Sequence, residues 1–332
     1  MRMRRLAAPI LLSFFCLIPC ANADIVKVDV NTRLIENFKV GSDEDVFGHL
    51  QFLGGLELSS DNDLLGAMSA IRLTADRSTF IGVADTGHWY GGNIKRDDNG
   101  RLSGIASFEI APMLNEEGKY STAKWNLDAE GLVIKDEYIY VSFERNSRIE
   151  GYKLANPMQS AAVKSLPVQI PKREFRRNGG LEAIAKSQVD SPLEGAIVAF
   201  SERSVNTEGD LFAAIIDGTE PGVFFVKRNP PYNITDADFL PNGDLLLLER
   251  RFSIARGIGM RIRRIDVSTI KKDATVDGDI LIDVGSGYQI DNMEGMSVTT
   301  NDQGEVFITL ISDDNHSFLQ RNLMLEFKLL QQ

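Results

Sequence analysis

Five copies of one short pattern, spread almost evenly along 332 residues, restrict what this chain can fold into more than any other feature of it. Each copy opens with a small residue at the start of an apolar run: Ala70, Gly131, Ala183, Ala237 and Gly295. In four copies a carboxylate stands directly before it (Glu130, Glu182, Asp236 and Glu294), and Ser69 takes that place in the first. The steps between the small residues are 61, 52, 54 and 58 positions. Spacing this regular predicts one repeat architecture instead of a string of independent domains. Each copy then closes on an apolar run that ends in an acid: Val83-Ala84-Asp85, Ser142-Phe143-Glu144, Phe200-Ser201-Glu202, Leu247-Leu248-Glu249 and Ile311-Ser312-Asp313.

Between these marks the texture is short apolar runs bounded by Gly, Asn, Asp and Pro, with almost no sustained helical period. Two further strand-like runs follow the closing acid, such as Arg148 to Leu154 and Ser165 to Ile170, or Gly259 to Val267 and Asp279 to Val284. Four strands per repeat is the blade of a β-propeller. The fifth copy supplies three strands, the third being Asn322 to Leu329, and Gly48 to Leu58 is the expected fourth. A strand from the N-terminal side then closes the ring and leaves no unpaired sheet edge between the ends. The expected fold is an all-β propeller of five four-stranded blades forming one domain over residues 24–332, with a sixth blade only if residues 24–60 hold more strands than their pattern displays.

Residues 1–23 read as a signal peptide. Arg2, Arg4 and Arg5 form a basic start, Leu6 to Ile18 is an apolar run, and Ala21-Asn22-Ala23 has the small-x-small form of a cleavage site. Arg4-Arg5 raises the twin-arginine route, but its neighbours favour general secretion, and Pro19 before Cys20 argues against a lipoprotein box. The expected location is periplasmic or secreted. Both cysteines, Cys16 and Cys20, fall in this leader, so the remaining chain depends on its core for stability. The formal charge is −11, and removing the leader's three arginines makes it −14. Such acidity speaks against a nucleic-acid partner, and no later run is long and apolar enough to span a bilayer. A monomer is expected.

In a propeller blade the first strand lines the central channel and the second runs antiparallel beside it, so opening and closing acids meet at one mouth. Nine of the ten equivalent positions are acidic: Asp85, Glu130, Glu144, Glu182, Glu202, Asp236, Glu249, Glu294 and Asp313. Carboxylates this close raise one another's pKa, so either several are protonated or arginines and a cation neutralise them. An all-oxygen set suits a hard divalent ion, calcium before magnesium or manganese. Any one of these acids has a bland alternative, accepting turn N–H bonds or pairing between blades, and only their joint placement marks a site. Arg145, Arg203 and Arg250 each follow a closing acid, with Arg251 beside the last, and arginine forks together with calcium can hold a phosphate ester. An inter-blade ion pair accounts for these Glu-Arg pairs equally well. His88 and His316 follow closing acids and could reach the mouth for acid–base work, whereas His49 reads as strand surface. The basic run from Lys172 to Arg177 could overhang the funnel. Nucleophile elbows, phosphate loops, zinc histidine pairs and dinucleotide fingerprints are absent from the sequence.

The chain resembles the phytase-like family named for an esterase-like activity of phytase, over nearly its whole length after the leader. The resemblance rests on Gly54-Gly55-Leu56-Glu57-Leu58, Ala84-Asp85-Thr86-Gly87, Asn178-Gly179-Gly180-Leu181-Glu182-Ala183-Ile184, Ile234-Thr235-Asp236-Ala237 with Leu247-Leu248-Glu249-Arg250, and Asp291-Asn292-Met293-Glu294-Gly295-Met296 with Ser312-Asp313-Asp314-Asn315. Thr86 departs from the family, which often has an arginine there. The resemblance implies an exported hydrolase of small-molecule phosphoesters. In that reading Glu182, Glu294, Asp313 and His316 are catalytic, Arg145, Arg203 and Arg250 bind substrate, and all nine acids are candidate ligands for calcium or another divalent cation. The alternatives are a calcium-dependent lactone or carboxyl-ester hydrolase, and a non-catalytic binding or scaffold propeller.

Overall fold

The computed structural model describes residues 24–176, 179–253 and 257–330. The predicted leader lies outside the described residues, as do Arg177 and Asn178. Among the described residues no helix is long and apolar enough to cross a membrane.

Five sheets form a ring, which settles the blade count at five. Blade 1 runs outward through Met68–Leu73, Thr79–Ala84, His88–Arg96 and Leu102–Pro112, with Val26–Lys27 on its outer edge. Blade 2 is Ala129–Lys135, Tyr138–Phe143, Arg148–Lys153 and Lys164–Leu166. Leu181–Lys186, Ile197–Val205, Leu211–Ile215 and Gly222–Val226 make blade 3, edged by Thr275–Val276, and Asn233–Phe239, Leu245–Ser253, Gly257–Ile265 and Asp279–Gly285 make blade 4. Blade 5 begins with Asn292–Thr300, Val306–Asp313 and Asn322–Leu329, and its fourth strand is Leu50–Ser59 from the N-terminal side. Closure is antiparallel, from Asn322 opposite Leu58 to Leu329 opposite Leu50, as the strand count of the last repeat requires. Phe38, Phe52 and Phe327 cement that join, with Phe38 lying 5.3 Å from Phe52 and 5.0 Å from Phe327 between ring centroids.

The small residue of the repeat has a packing cause. The five innermost strands converge on the axis and touch their neighbours in ring order. A Cβ on Gly131 would stand 2.7 Å from the Ile184 nitrogen and 2.9 Å from the Glu182 carbonyl oxygen, and one on Gly295 would lie 3.1 Å from the Ala70 Cα. Hydroxyls stitch the same contact, since Ser142 Oγ donates to the Glu182 carbonyl (3.2 Å) and Thr235 Oγ1 to that of Met293 (3.0 Å).

Arg72 fills the axis itself. Rooted in blade 1, its guanidinium donates to the carbonyls of Ile184 in blade 3 (3.2 Å), Ala237 in blade 4 (3.0 Å) and Met296 in blade 5 (2.7 Å). Asp236, with no exposed surface, supplies its counter-charge at 3.0 Å. A buried guanidinium is tolerable only when its donors and charge are satisfied together, and this one has both.

Candidate metal centre

Strand pairing decides which side chains reach the mouth. The N–H groups of Asp85, Glu144 and Glu202 donate to the carbonyls of Ala67 (3.0 Å), Asp128 (2.9 Å) and Gly180 (3.1 Å). In the same position Asn292 pairs with Asp313 and Asn233 with Arg250. Near its start each inner strand is bulged: the register breaks between Met68 and Ala70, Leu181 and Ala183, Ile234 and Asp236, and Met293 and Gly295. In blade 2 the partner strand shifts beside Ala129. A bulge re-aims the residue it leaves unpaired. Those residues are Ser69, Glu182, Thr235 and Glu294, with Glu130 in the corresponding place.

Blade 4 is therefore one residue out of step with the sequence alignment, and two expected funnel acids are corrected. Asp236 occupies the small-residue position and points to Arg72, while its backbone neighbours, Met296 N–H (2.8 Å) and Ala237 N–H (2.8 Å), occupy its oxygens. Glu249 faces Ile234 and turns away from the channel, where Arg261 Nε (2.7 Å) and Arg263 Nε and Nη2 (2.9 and 2.7 Å) saturate it. Neither has a free carboxylate edge to offer an ion at the mouth. The positions they were expected to hold belong to Thr235 and Arg250.

The remaining seven acids come to the mouth with one that the repeat pattern missed, Asp128, two residues before Glu130. Oxygens of Asp128, Glu130 and Glu144 lie within 4.8 Å of one another, and so do oxygens of Glu144, Glu182 and Glu202. Two oxygens each about 2.4 Å from one calcium ion stand at most about 4.8 Å apart, so either trio fits a shared hard cation. Glu144 belongs to both. On the far side, Asp313 accepts from the Asn315 N–H (2.8 Å) and Glu294 from Asn292 Nδ2 (2.6 Å).

Each of the three arginines is paired with one of these acids. Arg145 Nε reaches Asp128 (2.7 Å), Arg203 reaches Glu202 (2.6 Å), and Arg250 forms an ion pair with Glu294 at 2.9 Å. Arg145 and Arg203 are exposed at the rim, whereas Arg250 sits deeper, close enough to Glu182 and Glu202 to feel both charges. His316 is on an exposed turn, its ring beside Gly66 and its N–H donating to Asp314 Oδ1 (3.0 Å). His88 is held by Thr86 Oγ1 at 3.1 Å, and burial lowers its pKa.

Crowding appears directly in the ionisation of the group. Burial, then the charges of Asp128, Glu294, Asp85 and Glu144, push Glu130 well above the usual carboxylate range. Burial followed by Glu130, Glu202, Glu294 and Glu144 does the same to Glu182. Glu144 is raised to about 7, by burial and then by Asp128, and Asp313 to about 8, by burial against the opposing Asn315 N–H and with Glu294 and Asp85 adding to the rise. Burial also raises Glu294 and Glu202, against the opposing charges of Arg250 and Arg203. Burial and the neighbouring charges thus favour the protonated forms of these carboxyls.

Residues 63–316 match the family called Phytase-like, described as esterase-like activity of phytase. The chain belongs to the Phytase-like family. Among curated proteins none matches it. Solved structures similar to this Phytase-like chain include AofleA from Arthrobotrys oligospora, at 12% identity over 85% of this chain and 82% of that one with a TM-score of 0.39. Another is the glutaminyl cyclase of Myxococcus xanthus, at 11% identity over 80% and 92% with a TM-score of 0.41. Likenesses this distant bear on neither substrate nor mechanism.

Proposed function

We propose that this Phytase-like propeller is an exported, divalent-cation-dependent hydrolase of phosphoesters, calcium being the preferred ion. The observation that carries the reading is the pair of carboxylate trios joined at Glu144. A cation bound there would polarise a phosphoryl oxygen and acidify water. Asp128, Glu130, Glu144, Glu182 and Glu202 would hold it, and the four glutamates, whose pKa values burial and their neighbours raise, would ionise as it binds. Arg250, anchored by Glu294, stands beside Glu182 and Glu202 and meets charge growing on the phosphoryl group. Arg145 and Arg203 orient the ester from the rim. Asp313, its carboxyl raised to about 8, would deliver a proton to the leaving oxygen. The leader pattern at residues 1–23 supports export.

The test uses the chain from Asp24 onward on 4-nitrophenyl phosphate, bis(4-nitrophenyl) phosphate, phytate and a lactone, with calcium or with chelator. Phosphoester turnover should require calcium and fall at least about 100-fold in Glu144→Gln and in Glu182→Gln, the scale on which metal-site changes act. Turnover indifferent to Glu182→Gln combined with Glu294→Gln would reject the site. Lactone hydrolysis alone would make it a carboxyl-ester hydrolase, and calcium binding without turnover of any ester a binding propeller.

A further inference from the structure

Beside the funnel lies a cleft of about 600 Å³. Glu144 forms its inner wall, so cleft and carboxylate trios share a side chain. The rest is unlike the funnel: Arg145, Lys172 and Arg176 bring three cations, and Trp125 and Phe175 bring aromatic surface. Arg145 is shared with Asp128, but Lys172 and Arg176 leave a local excess of positive charge on a chain of formal charge −11. Among the described residues Lys172 and Arg176 have no acidic partner, although Arg173 between them is paired with Glu174 at 3.0 Å. Trp125 is 65% exposed in a chain whose other tryptophan, Trp89, is fully buried. A large indole left in water next to a cleft has the character of a stacking platform.

We propose that this cleft binds the planar aromatic portion of a phosphate ester, the ring against Trp125 and the phosphate held by Arg145, Lys172 and Arg176 next to Glu144. The inference rests on the phosphoester reading of the funnel, yet binding can be measured without hydrolysis. Phenylphosphonate, which has no ester bond, is the probe, with methylphosphonate as the ring-free control and adenosine monophosphate as the nucleobase arm. Because Trp89 is buried, a saturable change in indole fluorescence reports Trp125. Phenylphosphonate should bind at least about tenfold more tightly than methylphosphonate by calorimetry, as one stacked ring allows. Trp125→Ala should erase that preference and leave methylphosphonate affinity unchanged, with circular dichroism checking the fold. Lys172→Ala with Arg176→Ala should weaken both phosphonates about tenfold. Adenosine monophosphate binding above phenylphosphonate assigns the ring to a nucleobase, and binding below it assigns a simple aryl group. Equal affinities for the two phosphonates, or an unchanged spectrum, overturn the proposal. Ring preference without turnover of any ester would remove the hydrolase and keep the cleft; turnover without ring preference would do the reverse.

Discussion

Glu144 is the residue on which the mouth turns, because it completes both carboxylate trios and walls the neighbouring cleft. Its pKa of about 7 and that of Asp313, about 8, make a prediction about pH. Both are raised above the ordinary carboxylate range, so between pH 4 and 8 the folded chain binds protons that the unfolded chain has released. The stability they add is complete in acid and lost as pH rises through 7 and 8. In chelator, the melting temperature should therefore fall from pH 5 to pH 8.5 by at least about 2 °C, the shift that about 1 kcal/mol gives in a chain this long. Calcium should raise it more at pH 8 than at pH 5, since the ion replaces those protons. A scanning calorimeter would show this, and a metal-free melting temperature indifferent to pH would contradict the crowding. The acids themselves were readable from sequence, seven of nine reaching the mouth, because their residue type and repeat phase were enough. Asp128 was not, since it stands outside the repeated pair.

At the scale of the strand, the repeat pattern predicts the inner strands and the closure, whereas the outer run expected from Ser165 to Ile170 is a strand only over Lys164–Leu166. Asn322–Leu329 was expected within those bounds, and the closing strand expected from Gly48 to Leu58 runs Leu50–Ser59. Blade 4 defeated the reading for a physical reason. Asp236-Ala237 and Glu249-Arg250 imitate the acid-small and closing-acid pairs of the other copies, and only the backbone pairing of Ile234 with Glu249 reveals that both are displaced by one. A one-residue slip sends every side chain to the opposite face. Arg72 was invisible too: it sits in a plain apolar strand, and its partners lie 112 to 224 positions away. Arg72→Met should cost about 3–5 kcal/mol, because it leaves Asp236 buried and unpaired. Adding Asp236→Ala should recover most of that loss in urea denaturation, and a double variant as weak as the single one would mean that the charge pair is not what holds the inner strands.

For the whole molecule, stability depends on the ring being closed by residues far apart in the chain. The N-terminal segment that ends in the Leu50–Ser59 strand brings Phe38 and Phe52 onto Phe327, so covering the last blade's edge and filling the core there are one event. A chain beginning at Ser60 should present Asn322–Leu329 as an open edge and elute as aggregate in size exclusion, where the longer chain elutes as a discrete species. Recovery of the shorter chain as a folded monomer would show that the ring does not need its clasp.

Arg72 also changes what the axial channel is. With a guanidinium bonded to carbonyls of three other blades across its width, the passage is a cul-de-sac. On the phosphoester reading, traffic at the acidic mouth then shares a single doorway. The inorganic anion left by one turnover departs past the same arginines that admitted its precursor, and it queues against the next arrival.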